Sequence, residues 1–395
     1  MLKKVIFGTH DQDTLRQFEK CLKVGNVVGG VLCADGHYGY SQPVGGVVVY
    51  DGQISPSGVG YDIACGNKAA KTNLVYNDIK DDISTIMDEL EKKILFGFGR
   101  KNPNPIDHEL FDDEAWNVYK EFGQDVHDDL KQLAREQLGT TGSGNHYVDI
   151  LIDQKTKEVW IGNHFGSRGL GHKTATGFLN LAKGLNFIDK APGESMETPP
   201  TLFDIDSDLG EMYFEAMQLT GRYAYAGRDI VINQVLDILG AESVFEVHNH
   251  HNYAWKETHF GKEYIVVRKG ATPAHPGQLG FVGGSMGDIS VILQGVDSEK
   301  SKHAFYSTVH GAGRIMSRTE AAGKLNWKTR KRVGGLISEE KMHKAVKQFG
   351  VELRGAGPDE SPFVYRKLKE VLHAHEGTIE VLHILKPIGV VMASD

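Results

Sequence analysis

A histidine set among glycines is the first residue of this sequence whose type and surroundings indicate chemistry. His310 lies in the segment TVHGAGRIMSR, between a β-branched pair and the two glycines Gly311 and Gly313. The glycines remove side-chain bulk where a large ligand would approach the backbone, and Arg314 and Arg318 place positive charge nearby. A neutral imidazole is a nucleophile toward phosphorus, so the pattern favours a histidine that attacks a phosphate. A core histidine in a tight turn is the alternative.

Five further residues, each in a segment marked by glycine, have side chains of the kind that bind transition metals. They are Asp62 and Cys65 in GVGYDIACGNK, His146 in GTTGSGNHYVD, His164 in NHFGSRGLGH and His251 in VHNHHNYAW. Imidazole, thiolate and carboxylate together suit Mn, Co or Zn better than Ca or Mg. A thiolate can bridge two ions, and a two-metal centre suits phosphoryl transfer. Taken singly, each histidine could equally be a surface or core residue.

Length and composition restrict the class of protein. The chain has 395 residues, of which 40% are hydrophobic, and a formal net charge of -8. It can bury a large core, its first residues become polar too early for a signal peptide, and no stretch has the ~18 uncharged apolar residues of a membrane span. We therefore expect a cytoplasmic protein without a membrane segment. The acidic charge argues against unselective polyanion binding, so RNA contact would need a local basic run such as KTRKR at 328–332.

The elements that must position these residues mix strands and helices without regular alternation. Residues 1–75 read as short strands and glycine-rich turns, and strand patterns return on either side of His146 and His164. Further strand patterns occur at FEVHNHHNY, YIVVRKG, SVILQG and TIEVLHIL. We predict an α+β fold with a mixed β-sheet core and flanking helices, in one domain over residues 1–395.

Amphipathic spacing predicts the helices of this fold. Two are expected over 78–93 and 113–138, and one long helix or two shorter ones over 208–239, where glycines are weak points. Ser338 is expected to cap a further helix. The stretch 182–203, which contains APGESMETPP, is expected to be a surface excursion.

Motifs along almost the whole chain resemble those of the RtcB-type RNA-splicing ligases. The matching segments are ADGHYGYSQPVGGVV, SPSGVGYDIACG, GTTGSGNHYVDI, HFGSRGLGH, HHNY, VRKGAT, GGSMG, HGAGRIMSR and EVLHILKPIGVV. Several long motifs in the family's order make a chance match very improbable. The resemblance implies a single compact α+β catalytic domain with its metal centre in a deep pocket.

The resemblance also implies an activity. The family joins RNA ending in a 2',3'-cyclic phosphate or 3'-phosphate to RNA with a 5'-hydroxyl, in tRNA splicing or RNA repair, and it depends on GTP and Mn²⁺. His310 matches the histidine that becomes guanylylated before an RNA(3')pp(5')G intermediate forms. RNA with these ends is therefore the expected partner, and an activating protein is a second expected partner.

The same resemblance implies roles for the residues around His310. Those that match ligands of two Mn²⁺ ions, bridged by the cysteine, are Asp62, Cys65, His146, His164 and His251. Those that match the nucleotide site, together with His310, are Asn145, Asp149, Gly284, Ser285, Met286, Gly311, Ala312 and Gly313. Arg168 matches an arginine that holds RNA phosphate, and Asp35 lies in a further motif whose role is less defined.

Two positions depart from the family pattern where the guanine binds. Met392 stands in place of a family lysine, and Asp149 in place of a family glutamate. Losing a donor and shortening a carboxylate should weaken base recognition, so we expect altered nucleotide preference or weak guanylylation. The alternative is that Lys386 or another side chain takes the place of the missing lysine.

Two other functions remain open on the sequence. A relative that keeps the metal and phosphate chemistry without sealing would be a cyclic phosphodiesterase or an end-capping nucleotidyltransferase, and Met392 is the feature that keeps this alternative open. A noncatalytic RNA-binding repair protein is disfavoured, because His310 and all five ligand positions are retained.

Overall fold

The computed structural model describes residues 3–326 and 331–394, so positions 328–330 of the KTRKR run lie outside the described residues. The described strands are β1 (Lys3–Ile6), β2 (Val27–His37), β3 (Val44–Tyr50), β4 (Gln53–Ile54), β5 (Gly66–Val75), β6 (Tyr147–Asp153), β7 (Glu158–Phe165), β8 (Phe203–Asp204), β9 (Ser243–His250), β10 (Asn252–His259), β11 (Lys262–Lys269), β12 (Ala271–Pro273), β13 (Leu279–Val282), β14 (Ser290–Gly295), β15 (Ser307–Val309), β16 (Gly323–Asn326), β17 (Lys331–Gly334), β18 (Glu352–Arg354) and β19 (Ile379–Met392). The described α-helices are α1 (Gln12–Cys21), α2 (Pro56–Val59), α3 (Tyr76–Ile79), α4 (Ile83–Lys93), α5 (Gln124–Gln137), α6 (Arg168–Leu181), α7 (Asp208–Leu239), α8 (Glu299–His303), α9 (Arg318–Ala322), α10 (Glu339–Gln348) and α11 (Leu368–Ala374).

Two sheets form the centre of the fold. One has the strand order β1-β2-β3-β11-β10 and the other β13-β14-β19-β6-β7-β5-β9. Within the larger sheet the two end strands approach each other, because Phe281 on β13 donates its amide to the Asn249 side chain at 3.1 Å. Asn67 on β5 donates to the Phe281 carbonyl at 2.9 Å. The larger sheet therefore closes nearly into a barrel.

The pairing explains why no regular alternation of strand and helix was visible in the sequence. β1 pairs with β2, and β18 with β19, in parallel. The pairs that build the rest of both sheets are antiparallel, so no helical crossover is needed between them. The predicted α+β class, with one compact domain and a buried His/Cys/Asp cluster, is confirmed.

The central strands of the larger sheet are buried on both faces. Ile150 on β6 lies in a cluster with Met87 and Leu90 of α4 and Val231 of α7. The next residue, Leu151, points to the opposite face and lies in a separate cluster inside the sheet with other buried apolar residues. Because both faces are covered, these strands read as continuous apolar runs rather than alternating ones.

Helix boundaries differ from the sequence prediction at two places. A single helix over 113–138 is wrong: a 3₁₀ segment over Glu114–Phe122 ends at Gly123, whose φ of 121° breaks the helix before α5. Residues 80–82 likewise separate α3 from α4. The Ser338 cap is confirmed, since its side chain accepts from the Lys341 amide at 3.1 Å.

The segment 208–239 forms one helix, α7, of 32 residues. Its glycines do not interrupt it: a Cβ at Gly221 would lie 2.9 Å from the ring of Tyr253, so glycine allows a close approach to β10. The stretch 182–202 carries no helix or strand, as expected of an excursion, but Glu194 is buried, so the stretch does not lie wholly on the surface. Among the described helices, none combines the length and hydrophobicity needed to cross a membrane.

The two-sided burial of β6 generates a stability prediction. Ile150→Ala removes a fully buried side chain, so we expect it to lower the free energy of unfolding by about 2–5 kcal/mol. Ile384→Ala, on β19 of the same sheet, removes a side chain that is 40% exposed and should change that free energy by no more than about 0.5 kcal/mol. Urea unfolding measures this free energy for both variants. Equal losses of stability would contradict the assignment of Ile150 to a buried face and of Ile384 to an exposed one.

Candidate active site

A cavity of about 1210 Å³ lies where strands of the larger sheet meet the smaller sheet and the loop after β15. Of the residues singled out in the sequence, those that line it are Asp62, Cys65, Asn145, His146, Asp149, His164, His251, Gly284, Ser285, Met286, His310, Gly311, Ala312, Gly313 and Met392. Arg168 is not among the lining residues. The structure thus brings together motifs that are spread from residue 62 to residue 392.

Strand order explains why four of the five candidate metal ligands converge. β6, β7, β5 and β9 are neighbours in this order, and each pair is antiparallel. His146 precedes β6, Cys65 precedes β5, His164 lies near the end of β7, and His251 follows β9. Because starts and ends alternate along one edge of an antiparallel sheet, all four residues come to the same edge.

The ligand atoms fall into two overlapping groups. One consists of Cys65, His164 and His251, the other of Asp62, Cys65 and His146, and within each group the atoms lie within 4.8 Å of one another. Cys65 Sγ is 3.2 Å from His164 Nε2 and 3.8 Å from His146 Nε2. Cys65 belongs to both groups, which is the position required of a thiolate that bridges two ions.

Hydrogen-bonding capacity also favours a cation here. His146 Nδ1 lies 2.9 Å from the Thr141 carbonyl and must donate to it, so a neutral His146 presents the lone pair of Nε2. That lone pair faces Asp62 Oδ2 at 3.1 Å, and two acceptors attract each other only through a proton or a cation. His251 Nδ1 is buried without a hydrogen-bond partner. The residues present therefore fit a bound transition metal.

Burial sets the protonation states of this cluster. It lowers the pKa of both His164 and His251 well below the ordinary value, and neighbouring histidine charges act in the same direction. Both rings are therefore neutral and able to bind metal. Burial, assisted by Asp62, raises the pKa of the Cys65 thiol, so metal binding must displace its proton.

His310 is held by a buried carboxylate. Its Nδ1 lies 2.6 Å from Asp35 Oδ2, and the same oxygen accepts the amides of His310 at 2.9 Å and Gly311 at 3.3 Å. Burial acts to raise the pKa of Asp35, but the charge and hydrogen bonds of His310 outweigh it, and that pKa is lowered. With the proton on Nδ1, the lone pair of Nε2 is available for attack.

Glycines allow this close arrangement. A Cβ at Gly313, whose φ is 75°, would meet the Asp35 carbonyl oxygen at 2.2 Å. A Cβ at Gly270 would lie 3.0 Å from the His310 ring. The ring centroids of His310 and His251 are 4.8 Å apart, so His310 lies directly beside the five candidate metal ligands.

A buried guanidinium lies behind the cluster. Arg228 on α7 is fully buried and donates to the carbonyls of Ala64 at 3.1 Å and Phe165 at 2.6 Å, the residues next to Cys65 and His164. It also bonds to the side chain of His250 at 3.0 Å. Arg228 therefore links α7 to the two segments that carry the cysteine and the β7 histidine.

One wall of the cavity is less polar than the rest. Met392 on β19 lies opposite Tyr147 on β6, and Val390 lies opposite Asp149. Asp149 Oδ1 and the Tyr147 hydroxyl are buried without hydrogen-bond partners. Burial raises the pKa of Asp149 well above its ordinary value, which favours the protonated carboxyl, a group that can both donate and accept. Lys386 is exposed and does not line the cavity.

Two cationic residues that line the cavity, Lys269 and Arg366, were not predicted. Arg314 and Arg318, which the sequence placed near His310, line the cavity as well. The segment VRKGAT contains the lysine and was recognised only as a motif. Arg168, which was predicted, instead donates to Thr140 Oγ1 at 3.0 Å and to the Gly97 carbonyl at 3.2 Å.

Comparisons with known proteins agree with the geometry. A family model described as tRNA-splicing ligase RtcB matches residues 17–393. RNA-splicing ligase RtcB of Escherichia coli K12 is 31% identical over 379 residues, which cover 90% of this chain and 87% of that protein. tRNA-splicing ligase RtcB of Methanococcus maripaludis is 30% identical over 472 residues, which cover 99% of this chain and 93% of that protein. The Thermococcus kodakarensis protein of the same name is 30% identical, and the match covers 95% of this chain and 90% of that protein.

The shared cysteine generates a prediction about metal content. After dialysis against Mn²⁺, the wild-type chain should retain two ions per molecule, while His146→Ala and His164→Ala should each retain one, because each removes a ligand of a different group. Cys65→Ala should lose both. Elemental analysis measures the content, with His373→Ala, an exposed histidine outside the cluster, as the control. Equal metal content in Cys65→Ala and wild type would contradict a shared ligand.

Proposed function

The chain belongs to the RtcB family, and from this premise we propose that it is a GTP-dependent RNA ligase that uses His310 as its nucleophile. It would join RNA with a 2',3'-cyclic phosphate or 3'-phosphate end to RNA with a 5'-hydroxyl end. The observation that carries the proposal is the hydrogen bond between Asp35 and His310, which leaves Nε2 free beside the Cys65 cluster.

The first step is nucleotidyl transfer to the histidine. His310 Nε2 attacks the α-phosphorus of GTP, a P–N bond forms, and pyrophosphate leaves with the electrons of the broken P–O bond. The histidine ring becomes cationic as it attacks, and the Asp35 carboxylate at Nδ1 stabilises that charge. Asp35 is therefore a positioning residue that holds the correct tautomer.

The residues that would hold Mn²⁺ are Asp62, Cys65, His146, His164 and His251. Two bound ions would neutralise phosphate charge and make hydroxide available for opening a cyclic phosphate. The nucleotide phosphates would contact the glycine-rich loops, where Asn145, Gly284 and the loop after His310 line the cavity.

Two further transfers complete the proposed reaction. An oxygen of the RNA 3'-phosphate attacks the phosphorus of guanylylated His310, which releases the neutral imidazole and forms RNA(3')pp(5')G. The 5'-hydroxyl of the second RNA then attacks the 3'-phosphate, a phosphodiester forms, and GMP leaves. Arg314 and Arg318 line the cavity and are ion-paired with Glu360, and we propose that they meet the added phosphate charge.

The cellular setting follows from the same premise. We propose that the protein acts on broken RNA in the cytoplasm, in tRNA splicing or RNA repair, and that an activating protein assists it. The three cysteines, at positions 21, 33 and 65, are free thiols, which agrees with a reducing compartment.

The cavity wall at Met392 supports an altered nucleotide preference. An ionised carboxylate would favour guanine, which presents two adjacent N–H donors, whereas the protonated carboxyl that burial of Asp149 favours can pair with a donor and an acceptor. Met392 adds no donor for the guanine oxygen. We propose that ATP competes with GTP as the nucleotide donor.

A labelling experiment tests the nucleophile. Incubation with α-labelled GTP and Mn²⁺ should give protein-bound label that is acid-labile and alkali-stable, and His310→Ala should abolish it. His373→Ala, which changes an exposed histidine, should be labelled like wild type. Absence of label from either GTP or ATP, with metal bound, would overturn the ligase proposal and favour a metal-dependent phosphodiesterase.

The Asp35 carboxylate provides a second prediction. Asp35→Asn replaces an acceptor with an amide that favours the wrong tautomer, so we expect the labelling rate to fall by about 10²- to 10⁴-fold. Asp51→Asn removes an exposed carboxylate that pairs with Lys262 and should leave the rate unchanged. A loss of less than about threefold in Asp35→Asn would show that the carboxylate does not position His310.

The preference between GTP and ATP as the nucleotide donor provides a third prediction. Wild type should be labelled by ATP at a rate within about tenfold of that with GTP, because a protonated Asp149 carboxyl can pair with the adjacent donor and acceptor of either base. The double variant Asp149→Glu, Met392→Lys should regain preference for GTP. Competition between the two labelled nucleotides measures the ratio, and strict use of GTP by wild type would refute the altered preference.

A further inference from the structure

An exposed aromatic ring lies on a loop that pairs with the loop before His146. Phe98, in the segment FGFGRK, is 92% exposed, whereas Phe96 two residues earlier packs against the core beneath the larger sheet. Gly97 and Gly99 flank the ring with φ values of 115° and 67°, a conformation that favours glycine. The loop therefore turns one phenylalanine inward and presents the other to solvent.

Backbone pairing fixes this loop against the loop that precedes His146. Phe96 forms a β-bridge with Gly142, and the Gly97 amide donates to the Gly142 carbonyl at 2.7 Å. The Thr141 amide donates to the Leu95 carbonyl at 3.0 Å. Because the Thr141 carbonyl in turn accepts from the His146 ring, Phe98 is connected to the metal-type cluster by a short run of hydrogen bonds.

Guanidinium groups lie along the same two loops. Arg168 packs on Gly142, where an added Cβ would lie 2.0 Å from its Nη1, and it donates to the Gly97 carbonyl. The side chain of Arg100 packs on the other side of Gly97, 3.3 Å from where a Cβ would lie. Neither arginine forms an ion pair within the described part of the chain. Arg318 follows beside Gly144, at the wall of the cavity.

We propose that this loop, Phe96–Lys101, is a binding platform for single-stranded RNA, on which Phe98 stacks a base and Arg100 contacts the adjacent phosphate. The proposal rests on the proposed RNA ligase function and specifies a site for the strand outside the cavity. An exposed aromatic ring beside an exposed guanidinium group, here Phe98 and Arg100, is the combination that binds single strands without sequence preference. Arg168 packs on Gly142, and Arg318, which is ion-paired with Asp359 and Glu360, lies beside Gly144, so both contact the loop that joins the platform to His146.

Fluorescence anisotropy with a labelled single-stranded RNA that ends in a 3'-phosphate tests the platform in the full chain. Phe98→Ala should weaken binding about 5- to 100-fold, and Phe98→Tyr, which keeps a ring, should restore it to within about twofold. Phe260→Ala changes a phenylalanine that is 52% exposed, at the β10–β11 turn and outside the cavity lining, and should bind as wild type does. Arg100→Ala should flatten the slope of log Kd against log salt by about 0.7.

The possible outcomes distinguish a failure of the RNA-binding platform from a failure of the proposed nucleotidyl transfer. Equal RNA affinities of Phe98→Ala and Phe260→Ala would overturn the proposed platform. That result would favour a protein partner for the exposed ring. Loss of binding in both Phe98→Ala and Phe98→Tyr, with unchanged thermal melting, also overturns it, because stacking requires only a ring. Labelling of the wild-type chain by GTP is measured without RNA, so a failure of the proposed nucleotidyl transfer is recorded independently.

Discussion

The position of one thiol, Cys65, is the constraint on which the site depends. Its Sγ lies within reach of ligands from both groups, and no other residue of the cluster belongs to both. That position requires β5 to lie between β7 and β9 with the turn after Asp62 at the cavity edge. The near-closure of the larger sheet and the burial of its central strands on both faces hold these strand ends in place.

Placing so many ionisable groups in a buried cluster is unfavourable unless each has a compensating partner. Arg228 supplies one by binding the carbonyls beside Cys65 and His164, and the Thr141 carbonyl supplies another by fixing the His146 ring. Asp35 does the same for His310. His251 Nδ1 keeps no partner, and His251 belongs to the group of candidate ligands with Cys65 and His164. The structure is therefore prepared for cations, and their binding should stabilise the fold.

Much of the site could be predicted from the sequence because glycine-bounded turns mark ligand positions at the ends of strands. Cys65 and His164 are such cases, and both converge as expected. The Asp35–His310 hydrogen bond could not be predicted, since the residues are 275 positions apart and meet only through the packing of β2 on β15. Arg228 was missed because it lies inside a helical pattern and two of its partners are backbone carbonyls, which the sequence does not distinguish. The helix over 113–138 was misjudged because a single glycine outweighed the apolar spacing.

The central claim, that Cys65 is shared by two metal ions beside His310, is tested most directly by anomalous X-ray diffraction from crystals soaked in Mn²⁺. The account predicts two anomalous peaks that flank Cys65 Sγ, one near Asp62 and His146 and the other near His164 and His251. A single peak away from the sulfur, or full occupancy of both peaks in Cys65→Ala crystals, would contradict it.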